Sequence, residues 1–230
     1  MFSNTKKSDR IYVTGHINPD TDSIAAAVGY AWLLAERDGL NTVASRAGAI
    51  NRQTAYVLKK LELDPPSLIT DASPRFEYVM RRFDVVTPDR PLNEAWAILS
   101  RTGGLAPVVN PDGTPFGMVT GKSLFDFLRK VMGPHPKYQD MTISALLDIP
   151  CREAANVDIP RFQPGTRIKD VLNRLLRAEQ NEYWVVDEHK RYLGVVRQSD
   201  LLNPPRMKVI LVDHNEPQQA IASLEDADLL

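Results

Sequence analysis

A strand-like run followed at once by a polar turn and a helical stretch constrains this chain most. Residues 11–14 are apolar or β-branched, residues 15–23 are mostly polar and turn-forming, and residues 24–34 are rich in alanine and leucine at helical spacing. This order predicts a strand, a turn and a helix from about Ser23. In an open α/β sheet, such a turn lies at the carboxyl edge of the strands, where ligands bind. We therefore predict an α/β protein whose functional site includes this turn.

The predicted turn carries one imidazole and two carboxylates, on His16, Asp20 and Asp22. A borderline nitrogen and hard oxygens together suit manganese or cobalt, and also magnesium, better than a metal that prefers thiolates. Each carboxylate also has a simpler role available. Asp22 is a natural N-cap, and Asp20 can face the positive end of the helix dipole. Neither role explains His16 four residues before Asp20, so we predict metal ligands.

A second strand-like run ends in similar chemistry. Residues 207–212 are largely apolar and β-branched, which is typical of a buried parallel strand, and Asp213 and His214 follow directly. The carboxyl ends of two strands in one parallel sheet meet at one edge, where Asp213 could bridge two metal ions. Pairs of divalent ions about 3.5–4 Å apart are used for in-line displacement at phosphorus.

The motifs at residues 15–24 and 212–216 together resemble those of the family II, manganese-dependent inorganic pyrophosphatases of the DHH phosphoesterase superfamily. The resemblance implies hydrolysis of pyrophosphate to two phosphates with two Mn²⁺ ions, or Co²⁺ or Mg²⁺ in their place. The catalytic residues stay unknown, because the later motifs that the resemblance implies do not occur in these 230 residues. The implied metal ligands are His16 and Asp20 on one ion, Asp22 on the other, and Asp213 bridging both.

An internal repeat separates the two motifs. Helix, strand, turn, strand and helix patterns occur twice, at a spacing of roughly 75 residues, with strand pairs near 106–120 and 183–196. The copies resemble a tandem CBS pair, or Bateman module, and this implies clefts that bind AMP, ADP or ATP.

The resemblance suggests three nucleotide ligands, which are Thr120 in the first copy and Arg197 and Asp200 in the second. Arg197 stands where the family pattern has threonine, and Ser123 stands where it has aspartate. Arginine is nevertheless a competent phosphate ligand. The alternative is that Thr120 and Asp200 only cap the helices that follow them.

The repeat divides the chain into three stretches. We expect residues 1–72 to form the first part of a DHH-type parallel-sheet domain, residues 73–206 to form the CBS pair, and residues 207–230 to continue the first domain. The family resemblance implies further motifs, so we expect an N-terminal portion of a longer protein, with this domain incomplete. Within the pair we expect a first copy at 73–130, a linker at 131–158 and a second copy at 159–206.

Composition argues against several function classes. A net charge of -1 and a pI near 6.4 argue against a general nucleic-acid or membrane surface. The sequence has neither a signal peptide nor an apolar run long enough to span a membrane, so we expect a cytoplasmic protein. A single cysteine, Cys151, excludes an internal disulfide framework. The arginine-bearing segment 75–82 predicts a solvated helix face.

The leading hypothesis is a pyrophosphatase regulated by adenine nucleotides, in a homodimer formed through the CBS pair. Two alternatives stay open. A DHH-family phosphodiesterase would share the metal ligands but would need a basic groove on which bases stack. A non-catalytic adenine-nucleotide sensor would keep a working CBS pair beside a decayed metal site. A sensor has no need of four ligands at two strand ends, which favours the enzyme.

Overall fold

The computed structural model describes residues 10–133, 141–212 and 226–230. Its contacts divide the chain into two compact units. Unit 1 comprises Met1–Tyr78, Arg167–Lys169 and Pro204–Leu230, and unit 2 comprises Val79–Thr166 and Asp170–Asn203. These boundaries do not identify domains by family, so the predicted assignment of a DHH-type domain and a CBS pair stays a prediction.

Helices and strands alternate along most of the described chain. None of the described helices is long and apolar enough to cross a membrane. The strands are β1 Ile11–Thr14, β2 Thr42–Arg46, β3 Ser67–Leu68, β4 Leu105–Val109, β5 Pro115–Thr120, β6 Arg161–Phe162, β7 Glu182–Val186, β8 Tyr192–Arg197, β9 Lys208–Leu211 and β10 Asp228–Leu229. The helices are α1 Thr21–Asp38, α2 Arg52–Lys60, α3 Phe76–Val79, α4 Leu92–Thr102, α5 Gly121–Met132, α6 Ile143–Leu147, α7 Ile168–Leu176 and α8 Gln198–Leu202, with a 3₁₀ helix at Cys151–Glu153.

The sheet of unit 1 is parallel throughout, in the order β10-β9-β1-β2-β3. Strand β1 is central, and all four of its residues are buried. Val13 lies beside Ala44 of β2 on one side and Ile210 of β9 on the other. This confirms the predicted α/β class with a parallel sheet. The register brings the ends of β1, β2 and β9 to one edge of the sheet.

Helix α1 packs its apolar side against this sheet. Ala27, Ala31 and Leu34 form a buried cluster with Val13. The helix starts at Thr21, two residues earlier than predicted, because Asp20 is its N-cap and accepts a hydrogen bond from the Ser23 amide at 2.9 Å. It ends where Gly39 adopts a φ of 65°, a left-handed conformation that glycine allows.

Unit 2 contains the predicted repeat as two antiparallel hairpins, β4–β5 and β7–β8. Each hairpin has a register shift at an equivalent place, between Val108 and Val109 in the first and between Val185 and Val186 in the second. A bulge is a specific local feature. Its occurrence at the same place in both hairpins supports an internal duplication.

Each hairpin pairs with a short backbone segment that precedes the other hairpin. Arg81, which precedes the first hairpin, pairs with Val195 of the second hairpin through two backbone hydrogen bonds of 2.9 Å. Asn156, which precedes the second copy, pairs with Met118 of the first hairpin at 2.9 and 2.8 Å. Each copy therefore completes the sheet of the other, and this explains why both copies belong to one compact unit.

One segment differs from its prediction. The predicted solvated helix over 75–82 is wrong, because α3 has four residues and Phe76 is fully buried. Tertiary packing outweighs the local charge pattern in this segment.

The described part of the predicted linker contributes to the core of unit 2. Leu146, Ile149 and Cys151 join this core, and burial raises the pKa of the Cys151 thiol to about 11. The bounds of the linker stay a prediction.

Two glycines of α1 should respond oppositely to alanine. Gly29 is exposed within the helix, and a Cβ there would meet nothing within 4 Å, so Gly29→Ala should raise the free energy of unfolding by about 0.5–1 kcal/mol. Gly39→Ala should lower it by about 1–2 kcal/mol because alanine resists the left-handed region. Chemical denaturation of both variants checks this prediction, and equal effects would contradict it.

Candidate functional site

The predicted metal-binding turn lies at the carboxyl end of β1 and leads into α1. His16 Nε2 lies 3.6 Å from Asp20 Oδ1. Divalent transition-metal ions hold nitrogen and oxygen ligands at about 2.0–2.2 Å. Two neighbouring ligand atoms on one ion therefore lie roughly 3 Å from each other. The pair therefore fits one ion after a small adjustment. Asp20 also caps α1 through the Ser23 amide, so the observed cap and the predicted ligand role fall on the same side chain.

The structure brings together two of the four predicted ligands. Asp22 is exposed in the first turn of α1. Asp213 and His214 lie outside the described residues. Among the residues that are described, no group of three or more His, Cys, Asp and Glu side chains is arranged to hold a metal ion. The four-ligand set thus stays a prediction, with the His16–Asp20 pair as its described part.

A second helix starts close to this turn. The Asn51 side chain caps α2 by accepting a hydrogen bond from the Thr54 amide at 2.8 Å. Thr54 is buried, and its hydroxyl lies 3.0 Å from that of Thr21 at the start of α1. This link holds the starts of the two helices together. The cap spacing of Asn51 and Thr54 is visible in the sequence, but the pairing with Thr21 is not.

Ser23, in the first turn of α1, is a further buried polar residue, which the sequence motifs did not identify as a site residue. It is 5% exposed, and its hydroxyl has no hydrogen-bond partner among the residues that the structure describes. A Cβ placed on Gly15 would lie only 1.9 Å from Ser23 Oγ, so the hydroxyl fills the space beside the Gly15 α-carbon. A buried polar group without a partner costs about 1–3 kcal/mol and calls for an explanation.

Unit 2 has a cleft of about 510 Å³ at the start of α5. Thr120 lies in it and caps α5 by accepting from the Ser123 amide at 3.1 Å, while the Ser123 hydroxyl accepts from the Thr120 amide at 2.8 Å. Burial raises the pKa of Glu182, although Arg197 and Lys122 oppose this shift. The charged residues that line the cleft are Lys122, Asp126, Lys130, Glu153, Glu179 and Glu182.

The other two predicted nucleotide ligands lie outside this cleft and contact protein groups. The Arg197 side chain donates to the carbonyl of Thr102 at 2.7 Å and lies over the ring of Phe83 at 5.8 Å. Asp200 accepts from the Arg81 side chain at 2.7 Å and from the Arg197 amide at 3.2 Å. Thr120 and Arg197 hold equivalent positions in the two copies. Thr120 lies in an open cleft, whereas the Arg197 side chain contacts protein groups.

Comparison with known proteins gives matches over both units. The family model described as DHH family, N-terminal domain, matches residues 10–229. The probable manganese-dependent inorganic pyrophosphatase of Thermotoga maritima is 24% identical over 331 aligned residues, which cover 98% of this chain and 60% of the relative. The probable manganese-dependent inorganic pyrophosphatase of Deinococcus radiodurans is 52% identical over 59 residues, 26% of this chain and 18% of the relative. The chain therefore spans less than two thirds of the length of these relatives.

Solved structures match part of the chain. The crystal structure of CBSX2 in complex with AMP covers 56% of this chain and 93% of its own, with 18% sequence identity and a TM-score of 0.44. A CBS-domain-containing protein from Agrobacterium tumefaciens covers 57% of this chain and 92% of its own, with 18% identity and a TM-score of 0.45.

Two buried serines of unit 1 offer a matched test. Ser23→Ala removes a hydroxyl that has no partner in the described part of the chain, so the free energy of unfolding without added metal should stay the same or rise by up to about 1 kcal/mol. Ser45→Ala removes a hydroxyl that donates to the Val13 carbonyl at 3.1 Å, and should lower it by about 1–3 kcal/mol. Denaturation with chelator present measures both, and an equal loss in the two variants would contradict the assignment of Ser23.

Proposed function

The chain belongs to the DHH family, and from this premise we propose that unit 1 is part of a manganese-dependent inorganic pyrophosphatase. The observation that carries the proposal is the His16–Asp20 pair, 3.6 Å apart at the carboxyl edge of a parallel sheet. The names of the relatives from Thermotoga maritima and Deinococcus radiodurans support the choice of substrate and metal. They favour pyrophosphate over the phosphodiester of an oligonucleotide, which remains the second outcome of the test.

The proposed reaction breaks one of the two P–O bonds that the bridging oxygen makes in pyrophosphate. The oxygen of a water molecule forms a bond to phosphorus, the bridging oxygen leaves with the other phosphate, and two phosphates result. Divalent ions neutralise phosphate charge and activate the water. In this proposal His16 and Asp20 would hold one ion, Asp22 would hold the other, and Asp213 would serve as a ligand of both. The 18-residue helix α1 presents its positive end to the phosphate oxygens, which adds attraction for the anion.

We further propose that unit 2 is a CBS pair that binds an adenine nucleotide and regulates the enzyme. The duplicated hairpins with reciprocal pairing support the pair, and the cleft of about 510 Å³ offers the space. Thr120 lies at the start of α5 in that cleft, and Lys122 and Lys130 supply positive charge for a phosphate. The engaged side chains of Arg197 and Asp200 favour the Thr120 cleft as the first site to fill.

The proposal includes a cytoplasmic homodimer formed through unit 2. Helix α5 carries three exposed apolar side chains at spacings of three and four residues, which places them on one face of the helix. Phe125 is 66% exposed, Leu128 is 44% exposed and Met132 is 85% exposed. An apolar stripe of this kind is typical of a helix that packs against a partner.

Metal binding and turnover can be tested with one histidine pair. His16→Ala should weaken manganese affinity by at least about ten-fold, since it removes an inner ligand of the proposed site. His189→Ala, in the exposed turn between β7 and β8, should leave it unchanged. Titration calorimetry with Mn²⁺ measures both. Unchanged affinity in the His16 variant would mean that the turn is only a helix cap.

Phosphate release from pyrophosphate with Mn²⁺ tests the reaction. It should be measured for this chain and for the product of the complete genomic reading frame, each with and without AMP. Release that AMP alters would support the regulated enzyme. Cleavage of a short oligonucleotide without release from pyrophosphate would favour the phosphodiesterase, and AMP binding without any hydrolysis would favour the sensor.

Nucleotide binding should depend on the Thr120 cleft. Lys130→Ala should weaken AMP binding by about five-fold or more, because a charge-assisted contact to phosphate is lost. Lys60→Ala, on the exposed end of α2, is the control. Asp200→Ala should leave AMP affinity unchanged. Titration calorimetry measures the AMP affinity of the three variants. A loss of affinity in the Asp200 variant alone would place the nucleotide site in the second copy.

A further inference from the structure

Gly48 lies against the backbone of the metal-binding turn. It follows β2, whose parallel pairing with β1 brings the two strand ends to the same edge of the sheet. A Cβ on Gly48 would lie 1.9 Å from the carbonyl oxygen of Ile17, 3.1 Å from its carbonyl carbon and 3.2 Å from Pro19 Cδ. Two of these three atoms belong to the backbone and one to a rigid ring, so no side-chain rotation can make room.

Glycine is required at position 48 because there is no room for a Cβ atom, and not because of its backbone conformation. The glycines with positive φ in the described residues are Gly39, Gly103, Gly104 and Gly113, and Gly48 is not among them. An alanine at position 48 could therefore keep the local backbone conformation. It would be accommodated only if the turn over residues 16–20 moved away, or if the loop that carries Gly48 moved.

Hydrogen bonds of Arg46 and burial of Ala47 hold the loop that carries Gly48. The Arg46 side chain donates to the Gly48 carbonyl at 2.5 Å and to the Pro66 carbonyl at 3.0 Å. The Arg46 carbonyl accepts from the Ile69 amide at 2.8 Å, and Ala47 is buried in the core of unit 1. On the other side of the contact, the Ile17 side chain is 46% exposed, and Pro19 is buried.

The contact falls between the two proposed ligands. Ile17 and Pro19 lie in the chain between His16 and Asp20, and Asp20 is also fixed as the cap of α1. A push on the Ile17 carbonyl would therefore move His16 relative to Asp20. Ligand constellations must be held to within about 0.5 Å to stay effective.

We propose that Gly48 is a positioning residue that sets the His16–Asp20 separation for metal binding. The inference rests on the proposed metal site. It assigns Gly48 no contact with the ion or the substrate. Its effect passes through the backbone of Ile17 and Pro19, with Arg46 as the support on the other side.

The test compares Gly48→Ala with Gly29→Ala in the 230-residue chain, using Mn²⁺ alone as the probe. Gly48→Ala should raise the manganese dissociation constant by about ten-fold or more, the range seen when support around a ligand is lost. Gly29→Ala, where a Cβ meets nothing within 4 Å, should leave it unchanged. Calorimetry gives the constant, and circular dichroism with thermal unfolding in chelator reports whether the fold is kept.

A second variant covers the case in which Gly48→Ala does not fold. Arg46→Lys loses the fork that joins the Gly48 and Pro66 carbonyls, and should weaken manganese binding by about three-fold. Parent-like manganese affinity in a folded Gly48→Ala, or in Arg46→Lys where the first variant does not fold, would overturn the inference.

The His16→Ala variant separates this inference from the proposed function. If His16→Ala weakens manganese binding and a folded Gly48→Ala does not, the metal site stands and Gly48 has no positioning role. If neither substitution changes the affinity, the metal site itself is wrong, and the Gly48 inference fails with it.

Discussion

The parallel pairing of β1 between β2 and β9 is the constraint on which the site depends. Because all three strands run in one direction, the turn after β1 and the loop after β2 meet at one edge of the sheet. In the observed register, Val13 of β1 lies beside Ala44 and Ile210, and Thr14 at the end of β1 lies beside Leu211. The His16–Asp20 pair, the capped start of α1 and the loop at Gly48 take their places from this register.

The turn itself combines stability and function in a small number of side chains. Asp20 caps α1 and faces His16, so the same carboxylate contributes to folding and to the proposed ligand set. Ser23 shows the opposite balance, because its buried hydroxyl has no hydrogen-bond partner within residues 10–133, 141–212 and 226–230, and a buried hydroxyl without a partner costs stability. Such departures from good local packing occur most often where a site must be shaped for a ligand.

Unit 2 shows how a duplicated sequence can produce two unequal positions. The hairpins share their pairing, their bulge and their exchange of partner segments. Thr120 and Arg197 occupy equivalent positions, yet Thr120 lies in an open cleft while Arg197 reaches the Thr102 carbonyl. A long cationic side chain in place of a short hydroxyl fills its own surroundings, which is enough to make one copy differ from the other.

Sequence alone determined the features that depend on neighbouring residues. The strand, turn and helix at 11–38, the two hairpins and the capping role of Thr120 follow from local periodicity, capping chemistry and turn residues. The family was also visible, because its first motif is contiguous. Tertiary structure decided the contact of Gly48 with Ile17, the burial of the Ser23 hydroxyl, the burial of Phe76 and the pairing of Arg81 with Asp200. These features depend on packing and on distances between residues that are mostly far apart in the chain, and no local pattern encodes such distances.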